Sequence, residues 1–229
     1  MTILKQENRY TGPVALGATG LFFIAAAVYF LPLDIPHKIT IPVGILTLAS
    51  LWLCPWQIIL ALMFSAAGDF MGSCGNFIGQ MEFFALGHVF YIIYFIKRYL
   101  EKVEHDRKLT AKAKGYMAMV FFCAAALLAT AFSRIVPQAP EGIIRTCVGL
   151  YACIISAMMV LALLQRSSLY ALGAVLFVFS DFILAWNRFV EPIPAGGYMI
   201  MVTYYLAQWL LYIRSTSFRV APEMRLMRF

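Results

Sequence analysis

Eight apolar runs, separated by short polar or proline-rich breaks, follow one another along the chain. Each is close to the 20 or so residues that an α-helix needs to cross the hydrocarbon core of a bilayer. The pattern predicts spans at about 13–31, 38–53, 56–72, 80–96, 115–133, 142–164, 169–187 and 195–213. Pro32 and the turn Asp34-Ile35-Pro36-His37 close the first run, and the Cys54-Pro55-Trp56 corner divides the second from the third. Proline suits such positions because it lacks the N–H that a continuing helix requires. A weakly polar loop, Ser73-Cys74-Gly75-Asn76, precedes the fourth run. A charged segment from Lys97 to Lys114 follows it, and Pro137 and Pro140 punctuate the loop before the sixth. The expected fold class is all-α: a polytopic membrane protein with eight transmembrane helices, forming one integral membrane domain over residues 1–229.

Composition supports this reading. The chain is 62% hydrophobic and only 13% charged, whereas a soluble chain carries about 25% charged residues. So few charges cannot cover the surface of a soluble globule this size. The first run has a polar leader and no obvious small-residue cleavage site, so it reads as a first span rather than a removable signal. The formal net charge of +7 is dispersed among apolar runs and builds no basic groove, so nucleic acid is not an expected partner. Membrane lipids are. Five cysteines, Cys54, Cys74, Cys123, Cys147 and Cys153, show neither CxxC pairs nor a disulfide framework.

The basic residues also predict orientation. With the N-terminus inside, 14 of the 18 lysines and arginines fall on the inner side, leaving Lys38, Arg134, Arg145 and Arg188 outside. That asymmetry places both termini in the cytoplasm. The membrane is expected to be the plasma (inner) membrane in a bacterium, or the endoplasmic reticulum in a eukaryote. The Lys97–Lys114 run reads as a solvated cytoplasmic loop.

A faint repeat runs through the spans. Gly68-Asp69-Phe70 in the third echoes Ser180-Asp181-Phe182 in the seventh, and His88 and Tyr91 in the fourth share an offset with Tyr205 and Gln208 in the eighth. Spans three and seven cross in the same direction, which predicts a parallel 4+4 internal repeat.

Buried charge is the chemical signal. A carboxylate within a span costs about 2.5–3.5 kcal/mol on insertion scales and normally faces a bundle interior or cavity. Asp69 and Asp181 sit at similar depth near the outer ends of parallel spans. Two poorly solvated carboxyl groups can divide their labour, one protonated as general acid and the other ionised as base or charge stabiliser. Such a pair suits reactions with an oxocarbenium-like transition state. Alternatively, each aspartate bonds only a nearby hydroxyl, such as Ser65 one turn before Asp69. His88 and Tyr91 share one face of span four, while Tyr204, Tyr205 and Gln208 cluster on span eight, and Asn187 closes span seven. These residues are candidates to orient water or bind substrate, as is Lys38 at the outer interface. A metal site is not expected: His88 is the one intramembrane histidine beside His37 and His105, and the cysteines lack ligand spacing. No Walker loop, GxSxG elbow or dinucleotide fingerprint occurs in a suitable context, so no cofactor is expected.

The segment FSAAGDFMGSCGNFIGQMEFFALGHVFYIIYF (Phe64 to Phe95), followed by VLFVFSDFILAWNRF (Val175 to Phe189) and MVTYYLAQWLLYI (Met201 to Ile213), resembles the signatures of the YhhN-like lysoplasmalogenase family. Lys38 with Pro42, and Tyr151 with Met158, also fit. The resemblance implies an integral membrane hydrolase that cleaves the vinyl ether of lysoplasmalogens, releasing a fatty aldehyde and glycerophosphoethanolamine or glycerophosphocholine. The implied substrate is lysoplasmenylethanolamine or lysoplasmenylcholine, with Asp69 and Asp181 catalytic. Glu82 and Phe182 depart from the usual residues at their positions. Two other readings remain at this point. A lipid or small-molecule transporter would also use paired intramembrane aspartates, and a lipid-binding module would need a pocket without an acid pair.

Overall fold

A computed structural model describes residues 2–105 and 111–216, with side chains described over 12–101 and 115–216. Of the basic residues counted for orientation, Arg107, Lys108, Arg219, Arg225 and Arg228 lie outside the described residues. The described chain is all-α, with no β-strand. Eight helices follow in order: α1 (Thr2–Tyr29), α2 (Thr40–Leu53), α3 (Trp56–Ser73), α4 (Phe77–His105), α5 (Ala111–Thr130), α6 (Ile143–Leu164), α7 (Ser168–Phe189) and α8 (Gly196–Thr216). After α5 the backbone passes through a π-helical turn, Ala131–Ile135, and a 3₁₀ turn, Val136–Gln138.

Five segments are long and apolar enough to cross a membrane: Gly12–Tyr29, Phe77–Glu101, Gly115–Gln138, Ile143–Leu164 and Ser168–Phe189. The other three fall short for different reasons. α2 has only 14 residues, a rise of about 21 Å. α3 and α8 have 18 and 21 residues, but buried polar groups including Gln57, Asp69, Tyr204 and Gln208 dilute their apolar character.

Helix ends follow local chemistry. α4 begins at Phe77, three residues before the apolar run starts, because the Asn76 side-chain oxygen accepts the Gly79 N–H at 2.9 Å. That bond satisfies one of the donors left open at a helix start. Pro55, extended at φ −61° and ψ 151°, turns the chain sharply between α2 and α3. Lys38 fastens the turn between α1 and α2, its ammonium donating to the Leu31 and Leu33 carbonyls at 2.9 and 3.1 Å.

The antiparallel hairpins α3–α4 and α7–α8 form the most extensive contacts, flanked by α2 against α3 and α6 against α7. α4 crosses to α6 and α2 crosses to α8, joining the two halves of the chain. Close approach of α3 and α4 depends on missing side chains. A Cβ on Gly68 would stand 2.6 Å from the Phe84 ring, and one on Gly87 would stand 3.1 Å from the Ala61 carbonyl.

Burial is inverted relative to a soluble bundle. Leu16, Phe122 and Ile143 are 72%, 75% and 78% exposed, while Asp69, His88, Asp181 and Gln208 are buried. An apolar exterior around a polar interior suits hydrocarbon as the surrounding solvent. The molecule is an integral membrane protein.

Candidate active site

The end of α3, the start of α4, the start of α6, the end of α7 and the start of α8 meet at one end of the bundle. Asp69 comes from α3 and Asp181 from α7, each within the last two turns or so of its helix. They occupy two distinct surroundings.

Asp181 has a rich set of partners. The Tyr151 hydroxyl on α6 donates a short hydrogen bond to Asp181 Oδ2. His88 Nε2 on α4 lies 3.4 Å from the same oxygen and 3.2 Å from the Tyr151 hydroxyl. Carboxylate, phenol and imidazole therefore form one compact triangle drawn from three helices. The His88 ring packs edge-on against Phe177, with centroids 4.6 Å apart. His88 Nδ1 is buried without a hydrogen-bond partner, which leaves that nitrogen available to an incoming polar group.

Asp181 and Tyr151 also face a small cavity of about 40 Å³, with Phe77, Gln80, Met81, Phe84, Val148 and Phe189 among its walls. That volume admits roughly two or three water molecules. Its roof belongs to a separate apolar cluster of Met81, Ile135, Ala139 and Val148, which packs the turns after α5 over the site. Arg145 secures those turns by donating to the Pro137 and Ala139 carbonyls at 3.1 and 3.0 Å.

Asp69 is fully enclosed. The Tyr204 hydroxyl on α8 donates to its Oδ2 at 2.9 Å, and Asp69 does not line the cavity. Ser65 donates instead to the Ala61 carbonyl of its own helix at 2.9 Å, so Tyr204 is the hydroxyl that binds Asp69. The Tyr204 ring contacts Phe84 and Phe177, at centroid distances of 5.6 and 5.4 Å. Through Tyr204, Asp69 is thus joined to the same two rings that border the other carboxylate's surroundings, Phe84 at the cavity wall and Phe177 beside His88.

The remaining sequence candidates sort themselves by position. Tyr91 donates to Gln208 Oε1 at 3.0 Å, both fully buried beneath the site. Tyr205 donates to the Ile39 carbonyl at 3.0 Å, tying α8 to the start of α2. The Asn187 side chain accepts the Ile193 N–H at 2.8 Å and shapes the α7–α8 loop. Lys38 is held by backbone carbonyls and sits 5.7 Å from the Tyr29 ring. Glu82 is exposed, and the Phe182 ring lies tilted against Trp186 with centroids 5.7 Å apart. Among the described residues, no three of His, Cys, Asp and Glu converge as metal ligands would.

Tyr151 is the site residue that a reading of spacing passes over. A single tyrosine inside an apolar run is ordinary packing by pattern alone, and its partner lies 30 residues further on in another helix.

The chain is similar along nearly its whole length to curated proteins. Human lysoplasmalogenase TMEM86A is 28% identical over 253 aligned positions, covering 97% of this chain and 95% of that protein. The bovine TMEM86A matches at the same identity and coverage. Human lysoplasmalogenase TMEM86B is 44% identical over 64 residues, a segment equal to 28% of each chain. Mouse lysoplasmalogenase TMEM86B is 29% identical over 83% of this chain and 82% of its own length. No solved structure matches significantly. The family model described as YhhN matches residues 39–215, a stretch that contains both aspartates, His88 and Tyr151. The chain belongs to the YhhN family.

Proposed function

We propose that this protein is a lysoplasmalogenase, an ether hydrolase that cleaves the vinyl ether of a single-chain glycerophospholipid within the membrane. The observation that carries the reading is the Asp181–Tyr151–His88 triangle facing a water-sized cavity. Its similarity along nearly its whole length to proteins named lysoplasmalogenase supports the same conclusion.

The chemistry divides into three steps. A proton passes from Asp181, in its protonated form, to the vinyl carbon remote from oxygen. The double-bond electrons form that C–H bond, leaving an oxocarbenium ion. Cavity water then attacks the cationic carbon while the Asp181 carboxylate accepts a water proton, which regenerates the acid. The resulting hemiacetal collapses to fatty aldehyde and glycerol hydroxyl, moving one proton from the hemiacetal oxygen to the ether oxygen. Tyr151 and His88 hold the carboxyl group and the water in register. Asp69, held by Tyr204, supplies negative charge toward the cation. Head groups of both kinds, ethanolamine and choline, are compatible with this mechanism because the reacting bond lies at the opposite end of the glycerol.

Within this reading all eight helices cross or enter the bilayer as two parallel sets of four. The contacts support that repeat: α3–α4 corresponds to α7–α8, α2–α3 to α6–α7, and α4–α6 to α8–α2. Tyr91 and Gln208, which occupy matching positions in the two sets, bond to each other, as residues beside a two-fold axis would. Both termini then lie in the cytoplasm and the active site opens toward the outer leaflet.

The decisive experiment follows aldehyde release from a lysoplasmalogen by the purified protein in detergent, for wild type, Asp69→Asn and Asp181→Asn. Loss of most activity in the Asp181 variant, with a smaller loss for Asp69, is expected. Full turnover in both variants would overturn the mechanism. No aldehyde from wild type, combined with substrate flux across liposomes, would identify a transporter instead.

A further inference from the structure

The lysolipid carries a phosphate, and one basic residue is placed to receive it. Four basic residues fall on the outer side by the charge pattern: Lys38, Arg134, Arg145 and Arg188. Lys38 donates to two backbone carbonyls of the α1–α2 turn. Arg145 donates to the Pro137 and Ala139 carbonyls and reaches Glu141 at 3.5 Å. Arg134 lies on the turn after α5, none of whose residues lines the cavity, and Arg188 differs from all three. It is exposed, and its guanidinium lies 5.1 Å from the centroid of Phe77, a wall of the cavity that holds Asp181.

Helix geometry fixes its relation to the carboxylate. Arg188 lies seven residues after Asp181 on α7, so the two Cα atoms are about 10 Å apart along the axis and within about 20° in rotation. Asp181, Leu184, Ala185 and Arg188 therefore form one stripe, of which the first three line the cavity. In a single-chain glycerophospholipid the vinyl ether oxygen and the phosphorus are separated by roughly 6 Å of glycerol backbone, from ordinary bond lengths. A guanidinium two turns above the acid can reach back over that distance and bind the phosphate with paired N–H donors.

Resting on the vinyl ether reading above, we infer that Arg188 is the phosphate-binding residue of this site and sets its preference for phospholipid over uncharged ether lipids. Phe77 acts as a shelf that holds the guanidinium over the cavity mouth. The phosphate it binds belongs to the substrate itself rather than to a neighbouring bilayer lipid.

The test compares lysoplasmenylethanolamine with the matching 1-alkenylglycerol, which lacks phosphate, in a nonionic detergent free of phospholipid. For Arg188→Ala, the ratio of kcat/KM between the two substrates is expected to fall roughly ten- to a hundred-fold, through KM. Arg188→Lys should recover part of that ratio by restoring charge without the paired donors. Binding of a non-hydrolysable alkyl ether lysophospholipid, measured by calorimetry, should weaken by a similar factor in Arg188→Ala. That readout judges Arg188 even if wild type releases no aldehyde, a result that would refute the hydrolase reading alone. An unchanged substrate ratio with unchanged analogue binding would overturn the assignment. So would a loss confined to phospholipid vesicles, which would make Arg188 a bilayer anchor.

Discussion

Replacing Tyr151 with phenylalanine isolates the least conspicuous member of the site. The change removes one oxygen and keeps the ring, whose centroid lies 5.7 Å from that of His88. The lost hydroxyl donates to Asp181 Oδ2 and stands 3.2 Å from His88 Nε2. A hydrogen bond to a carboxyl group that becomes ionised as it gives up its proton contributes about 1.5–3 kcal/mol. Asp181 would retain His88 at 3.4 Å, so part of its support survives. If the bond operates fully in the transition state, kcat should fall roughly ten- to a hundred-fold. Aldehyde release under saturating substrate gives kcat, and thermal unfolding in the same detergent separates catalysis from folding. A double-mutant cycle with Asp181→Asn adds a sharper criterion: the two losses should be strongly non-additive, because both changes disable one interacting unit. Undiminished kcat in Tyr151→Phe, or simple additivity of the two losses, would refute the triangle as the working site.

Other outcomes follow from the same geometry. Gly68→Ala should lower stability by about 1–3 kcal/mol, since its Cβ would meet the Phe84 ring at 2.6 Å; a melting temperature equal to wild type would show that α3 and α4 separate freely. Lys38→Met should cost about 1–2 kcal/mol of stability by releasing the Leu31 and Leu33 carbonyls. An undisturbed melting curve would argue that the α1–α2 turn holds without it.

The aspartates and most helix positions were legible in the sequence because the bilayer makes charge rare and apolar length obligatory. Asp69 and Asp181 stand out for that reason, and their burial follows it. The sequence spans were also offset in places by capping rather than hydropathy. Asn76 starts α4 earlier than the apolar run does, and the π-turn after α5 replaces a simple helix end. Matched depth does not settle which side chain faces the cavity: Asp181 lines it and Asp69 does not, since helix rotation, which spacing does not determine, decides what each side chain faces. Tyr151 and Arg188 likewise have partners far away in sequence, Asp181 on another helix for the first and the Phe77 ring for the second. Tyrosine and arginine serve equally well as packing or anchoring residues until those partners are known.

The narrowness of the cavity has an effect on the surrounding lipid. About 40 Å³ holds water but not an alkenyl chain, so in the proposed reaction the chain reaches Asp181 by parting the helices and aromatic rings around it. Work against the neighbouring acyl chains then becomes part of the activation barrier. The enzyme is therefore a gauge of its own solvent: stiffer, more ordered bilayers should slow it, and fluid ones should speed it, with no residue changed.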